Sequence, residues 1–255
     1  VDLQNLKIKE NKQPNTTQKE QLLPTTTITV FFFVVMKYLL AIILCITCYG
    51  ASAQQNWYIP SDTTAKFKYA VYNQNGQIIS YSIARVDSVY KAGNRWIVRQ
   101  SSTLYNARMQ PTGAVLYAES YVSNDTTYLA INRTMNMSGA TVHTKGILIA
   151  LPATIDGQTT FANQQLNCRI NFAGMNFRTT TEVYDIQIMN QETLTVDNRI
   201  FNTLKISYNT STRVLGRREQ TFVTTWIAKE MGIMLAVVNN EQNGNSTTTK
   251  LISIE

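Results

Sequence analysis

The chain has 255 residues, 44% of them hydrophobic, with 23 Lys plus Arg against 16 Asp plus Glu and a formal net charge of +7. Its single histidine and three cysteines exclude an all-protein multi-histidine metal centre and a disulfide-dense scaffold. Stability must therefore come from burial.

In chain order, the first readable element is "VVMKYLLAIILCITCYGASAQQNW", residues 34–57. Met36 and Lys37 form a short basic start, Tyr38 to Thr47 an apolar centre, and Ala51-Ser52-Ala53 a small-residue cleavage site. Residues 36–53 are thus expected to be a signal peptide, cut between Ala53 and Gln54, with export to the periplasm or the cell surface. Residues 1–35, polar and ending in "TITVFFFVV", read as an over-extended upstream segment. An uncleaved anchor over 28–48 is the alternative, but Lys37 at its centre would cost about 2.5–3.5 kcal/mol. A lipid-bearing cysteine normally follows a small residue, whereas Leu44 and Thr47 precede Cys45 and Cys48.

Residues 54–255 then form one domain with 18 Lys plus Arg against 13 Asp plus Glu. Cys168 is its only thiol and lies in the alternating pattern "QLNCRINF", where it reads as a small core residue. The basic residues are scattered apart from Arg217-Arg218 in "LGRRE", which reads as a turn, and nucleic-acid binding needs a clustered basic face. No nucleic acid is expected as a partner, and the membrane is met only through the signal segment.

Beyond residue 64 the hydrophobic period is two. In "AKFKYAVY", Phe67, Tyr69 and Val71 share one face while Lys66 and Lys68 take the other. "NQNG" then turns the chain, followed by "QIISYSIARVDSVY", the turn "KAGN" and "RWIVRQSSTLY". "AVLYAESYV", a turn at Asn124-Asp125 and "TTYLAINRTMNM" continue the meander. "SGATVHTKGILIALPATIDGQTTF" reads as a loop between two β groups, because Pro152 and Gly157 break it. "QLNCRINF" and "FRTTTEVYDIQIM" flank "AGMN", and "TLTV" and "RIFNTLKISYNTSTRV" flank Asp197-Asn198. "EQTFVTTWIAK", "GIMLAVVNN" and "TTTKLISIE" close the chain. The expected fold is all-β, an antiparallel meander of about eleven strands curled into a barrel or roll, with a two-sheet sandwich as the alternative.

These pieces resemble the exported β-proteins called TapB-like, found in Bacteroidota. "WYIPSDTTAKFKYAVYNQNGQIISYSIARVDSV" resembles their opening, and "LPATIDGQTTF" their central connection. "TVDNRIFNTLKISYNTST" and "TTWIAKEMGIMLAVV" are similar to two later segments, with Asp197-Asn198-Arg199 in place of a Pro/Gly turn and Glu230-Met231 in place of Gly-Val. The resemblance implies a barrel-like exported domain and hands over no catalytic residue.

No nucleophile elbow, P-loop or dinucleotide fingerprint occurs. His143 lies in a loop-rich stretch and is expected to face solvent. Among the carboxylates Glu119, Glu182, Asp185, Glu192 and Glu219, the pair Glu182 and Asp185 differs by three in a strand and so points to opposite faces. No catalytic residue, metal ligand or cofactor is assigned. The ligand candidates are aromatic: Trp96, Tyr117, Tyr121, Tyr128 and Trp226, as the lining of a cavity for a lipid or another apolar molecule. Trp226 is also expected to be largely buried. The leading functional expectation is an exported, non-enzymatic envelope barrel. The alternatives are a module that binds an envelope protein, and a hydrolase using a carboxylate pair. N-terminal sequencing of protein purified from the envelope should begin at Gln54; recovery of residues 1–35 on a membrane-bound product would instead establish the anchor.

Overall fold

The computed structural model describes residues 56–155, 159, 161–214 and 217–255. The signal segment, the upstream 1–35 stretch and the turn within "LGRRE" lie outside the described residues. The described secondary structure is β throughout. Along the first half run β1 (Lys66–Asn73), β2 (Ile78–Ala92), β3 (Arg95–Asn106), β4 (Pro111–Ser123) and β5 (Thr126–Met137). The middle holds β6 (Ala140–Lys145), β7 (Ile149–Pro152), β8 (Gln164–Phe172) and the long β9 (Met175–Val196). Next come β10 (Arg199–Val214), β11 (Arg217–Ala228), β12 (Gly232–Asn240) and β13 (Ser246–Ile254).

Neighbouring strands pair antiparallel in the order β4-β3-β2-β1-β13-β12-β11-β10-β9-β8-β6-β5, and β4 also pairs with β5. The ring is therefore closed, a twelve-stranded barrel with β7 as an extra strand on β5. Closure by the first and last strands, with Phe67 opposite Ile254, excludes the open sandwich.

The turn chemistry explains the meander. Asn124-Asp125 and Asp197-Asn198 both hold consecutive positive φ values, 48° and 56° in the first and 48° and 62° in the second. This is the two-residue hairpin geometry that Asn and Asp tolerate. A five-residue turn occurs twice, at Asn73–Gln77 and Asn106–Gln110. In each, the asparagine Oδ1 accepts from the backbone N–H groups two and four residues on, and its amide donates to the glutamine side chain.

The stretch expected to be a loop before β8 contains β6 and β7 instead. Both lie along one edge of β5: Met137 to Asn132 face Ala140 to Lys145, and Leu129 to Thr126 face Ile149 to Pro152. They are one strand path interrupted at Gly146, where the opposing β5 also buckles at Ala130, φ 51°. Gly146 has φ 137°, and a Cβ there would overlap the carbonyl oxygen of Gln165. Glycine is what permits β8 to approach. "TLTV" is likewise the end of β9 rather than a separate strand.

Alternation assigns the faces. Phe67, Tyr69 and Val71 point inward, and Phe67 and Tyr69 join Ala84, Val86, Val98, Val122 and Leu129 in an apolar core. This core fills the end of the barrel that carries the β2–β3, β4–β5, β9–β10 and β11–β12 turns. The segment Trp57 to Ile59 seals it: the Tyr58 N–H donates to Thr127 Oγ1 at 3.2 Å and the Glu230 N–H to the Trp57 carbonyl at 2.6 Å. The β9–β10 tip folds over the same end, where Asp197 accepts from the Ile254 N–H at 2.7 Å. Toward the opposite end the inward positions turn polar, with Ser82, Gln100, Ser102, Arg133, Thr144, Thr181 and Thr212 all buried.

Gly146→Ala should destabilise the fold by more than about 3 kcal/mol, since backbone strain and overlap with backbone act together. Gly139→Ala, at a turn with open space around the glycine, should cost only about 1 kcal/mol. Equal shifts in denaturant midpoint for the two variants would show that β8 does not depend on Gly146.

Candidate functional site

Positions on β5, β6, β8, β9, β10 and β11 border a groove of about 1190 Å³; most point outward, and the inward Arg133, Thr144 and Cys168 line it as well. Strand register builds its floor as cross-strand ladders. Thr134, His143, Arg169 and Arg178 stand directly opposite one another in succession. Asn132, Lys145, Asn167 and Thr180 form the next row, and Gln165, Glu182, Ser211 and Gln220 the one beyond. Arg213 opposes Arg218 across the β10–β11 pair.

The charge is one-sided. Lys145, Arg169, Arg178, Arg213 and Arg218 line the groove with His143, and Glu182 is the carboxylate among the lining residues. The ion pairs found among the described residues, Arg85–Asp87, Arg99–Glu119 and Lys205–Glu192, all lie elsewhere. Arg218 is steadied by donation from its Nε to Ser211 Oγ at 2.8 Å, and the Arg213 carbonyl accepts from the Thr179 hydroxyl. His143 faces solvent as expected, with Nδ1 2.8 Å from the Thr134 hydroxyl. Like charges placed directly opposite each other destabilise a sheet. Two such Arg–Arg pairs without carboxylates between them create a field suited to an anion.

The aromatic candidates are placed differently from one another. Trp96 packs on Trp57 at a ring separation of 5.8 Å, against the apolar core at the sealed end. Tyr117 is 46% exposed. Tyr121 and Tyr128 stack on each other at 4.4 Å, and the Arg95 guanidinium sits 4.8 Å from the Tyr121 ring. Thr127 and Leu129 take the inward places beside Tyr128, and Ser120 and Val122 those beside Tyr121, so both tyrosines stand on the outer wall. The structure does not gather the five around one chamber.

Trp226 corrects the expectation of deep burial. It shares its face with Phe222 and Thr224, but that face is the outer one, while Thr221, Val223, Thr225 and Ile227 fill the interior. A two-residue period identifies which residues share a face and leaves open which face is inside. Trp226 is half-buried, its indole Nε1 donates to Glu192 Oε2 at 2.6 Å, and Lys205 Nζ lies 4.9 Å from the ring. Lys205 also donates to Glu192 Oε1 at 2.9 Å, and Asn190 donates to the same oxygen at 3.0 Å. These bonds, Lys205 first and then Trp226 and Asn190, hold the Glu192 carboxyl down to about 2. Glu192 is an anchored structural carboxylate, not half of an acid–base pair.

Sequence reasoning missed the basic groove, because its cations are spaced widely along the chain and only strand pairing assembles them. It also missed buried Arg133, which alternation on β5 places inward.

Barrel and groove together define a class, a closed antiparallel β-barrel with a cationic outer face. Residues 63–251 match the DUF3108-like family, and the chain belongs to it. A candidate lipoprotein from Parabacteroides distasonis ATCC 8503 is similar in structure, with a TM-score of 0.63, 15% identity, and coverage of 78% of this chain and 98% of that one. A candidate exported protein with a YmcC-like fold from Bacteroides fragilis NCTC 9343 gives 0.59 and 16%, covering 77% and 97%. At such identities the likeness is one of fold. No curated protein matches the chain significantly.

Glu192 provides a pH test. A carboxyl whose folded pKa is depressed stabilises the fold above its unfolded value, and that contribution is lost as pH falls through the folded one. The window here runs from 4.5 down to about 2. Trp226 emission should change with a midpoint near the lower limit, and Lys205→Met should raise that midpoint. A wild-type midpoint above 4 would mean that the three donors do not hold the carboxylate.

Proposed function

We propose that the protein is an exported, non-enzymatic module of the cell envelope that binds an anionic glycan or glycolipid in its outer groove. The observation that carries this reading is the two pairs of facing arginines, Arg169–Arg178 and Arg213–Arg218, in one groove whose lining residues include a single carboxylate, Glu182. A groove of this volume accommodates several sugar units, and guanidinium forks match carboxylate and phosphate oxygens. The asparagines and threonines between the arginines, Asn132, Asn167 and Thr180, offer hydroxyl-matching donors and acceptors.

Export is supported by the signal pattern at 36–53 and by the envelope setting that the TapB-like resemblance implies. The apolar-ligand expectation loses its basis in the aromatic residues, since Tyr117, Tyr121, Tyr128 and Trp226 stand on the outer wall. An envelope protein partner is the outcome favoured if the groove takes no saccharide.

The test is titration of the protein with a fluorescent oligogalacturonate and with its neutral galactose counterpart at low and moderate salt. The acidic oligosaccharide should bind, and binding should weaken as salt screens the groove. The double substitution Arg169→Ser with Arg178→Ser should reduce affinity at least tenfold. The same variant should fold with unchanged or slightly greater stability, by about 0.2–1 kcal/mol, because a like-charge pair is removed. Equal affinity for the neutral oligosaccharide, or no loss in the variant, would overturn the proposal.

A further inference from the structure

Arg133 is placed where a cation needs a partner. It is 5% exposed, and Nε, Nη1 and Nη2 all lack a hydrogen-bond partner in the protein. Register puts it in an inward row: Gln100 opposes Ala118, Ala118 opposes Arg133, Arg133 opposes Thr144, and Thr144 opposes Cys168. The small Ala118 stands between the long side chains of Gln100 and Arg133 in this row. Both amide atoms of Gln100 are likewise unpartnered, as are the Ser102 hydroxyl in the adjoining inward row and the Tyr208 hydroxyl on the facing wall.

An uncompensated charge in a protein interior costs several kcal/mol, and breaking a buried pair is penalised for that reason. None of the buried side chains supplies the counter-charge. Glu119 and Glu182 take outward positions, and the inward Glu219 on β11, opposite Thr212, accepts from Asn240 Nδ2 at 2.8 Å. Burial raises the Tyr208 phenol and the Cys168 thiol, which keeps both neutral. Burial lowers Arg133 to about 10, so it stays protonated at neutral pH.

We propose that the barrel interior holds a carboxylate-bearing ligand, its two oxygens received by the Arg133 guanidinium with Gln100 and Tyr208 as further donors. The geometry is the bidentate fork that favours carboxylate over a spherical ion. Arg133, Thr144 and Cys168 also line the groove, so the interior site adjoins it, with Arg133 pointing inward and Arg178 outward. The carboxylate is either that of a small free acid or the head of a fatty acid whose chain runs along Leu104, Leu116 and Met135, the buried apolar neighbours toward the open end.

The test compares the full protein with Arg133→Met and Arg178→Ser in thermal melts with sodium acetate and with sodium decanoate below its micelle concentration. Wild type and Arg178→Ser should show a saturating rise of about 3–6 °C at ten times the dissociation constant. Arg133→Met should show none beyond the general salt effect. A response to acetate identifies a small acid, and a response to decanoate alone identifies a fatty acid. Should Arg133→Met fail to fold, crystals of wild type soaked in bromoacetate or bromodecanoate replace it. Anomalous density within reach of the guanidinium then supports the site. Melts that respond to neither acid, or crystals without that density, overturn it. Failure of the Arg178→Ser control alone would implicate the groove instead.

Discussion

Everything in this molecule depends on the ladder that joins its first strand to its last. Phe67 pairs opposite Ile254 and Asn73 opposite Thr247, so β1 and β13 close a sheet whose other neighbours are almost all consecutive in the chain. Closure removes the exposed edges that a twelve-strand sheet would otherwise present. It also converts a two-residue period into an inside and an outside. Every side-chain role described above follows from that division.

The two surfaces then solve different problems. Inside, the sealed end is filled by side chains such as Tyr69, Ile149 and Leu151, each with no exposed area, and burial of each contributes about 1.5–3 kcal/mol. Tyr69 illustrates the economy of the packing, because its hydroxyl still reaches the Ile233 carbonyl at 3.3 Å. The interior toward the other end is polar, and Arg133 lies in it. Outside, several aromatic rings carry a cation over the ring, as with Arg99 over Tyr90 at 5.0 Å and Lys205 over Trp226 at 4.9 Å. Such contacts keep large rings wetted on one side without leaving a continuous apolar patch.

Irregularities, not regular strands, give the barrel its functional shape. Ala130, Asp185 and Gly146 take positive φ inside or beside strands and locally bend the wall. The register shifts on β9 and β10 accompany the long hairpin that closes the sealed end, while the concave stretch from β5 to β11 carries the arginine ladders. Bulges raise local twist and re-aim side chains. Here they separate the sealed end from the face that carries the arginines.

What the chain determined alone was local. Period-two alternation, the Asn75-Gly76, Asn124-Asp125 and Asp197-Asn198 turns, and the scarcity of helix-forming runs were enough for an all-β meander that curls. A burial role for Cys168 was also legible, because it depends only on position within an alternating stretch; His143 is exposed as expected, but as an outward residue of β6 and not as part of a loop. Tertiary structure decided the rest. Alternation is symmetric between faces, so only closure could show that Trp226 and Tyr128 face outward and Arg133 inward. Pro152 and Gly157 made 138–161 look like a loop, yet β6 and β7 form there because β5 offers an unpaired edge to both. The arginine groove was illegible for a simpler reason. Arg169 and Arg178 share a hairpin, but His143, Arg213 and Arg218 come from other strands, and their proximity exists only once the hydrogen-bond ladders are in register.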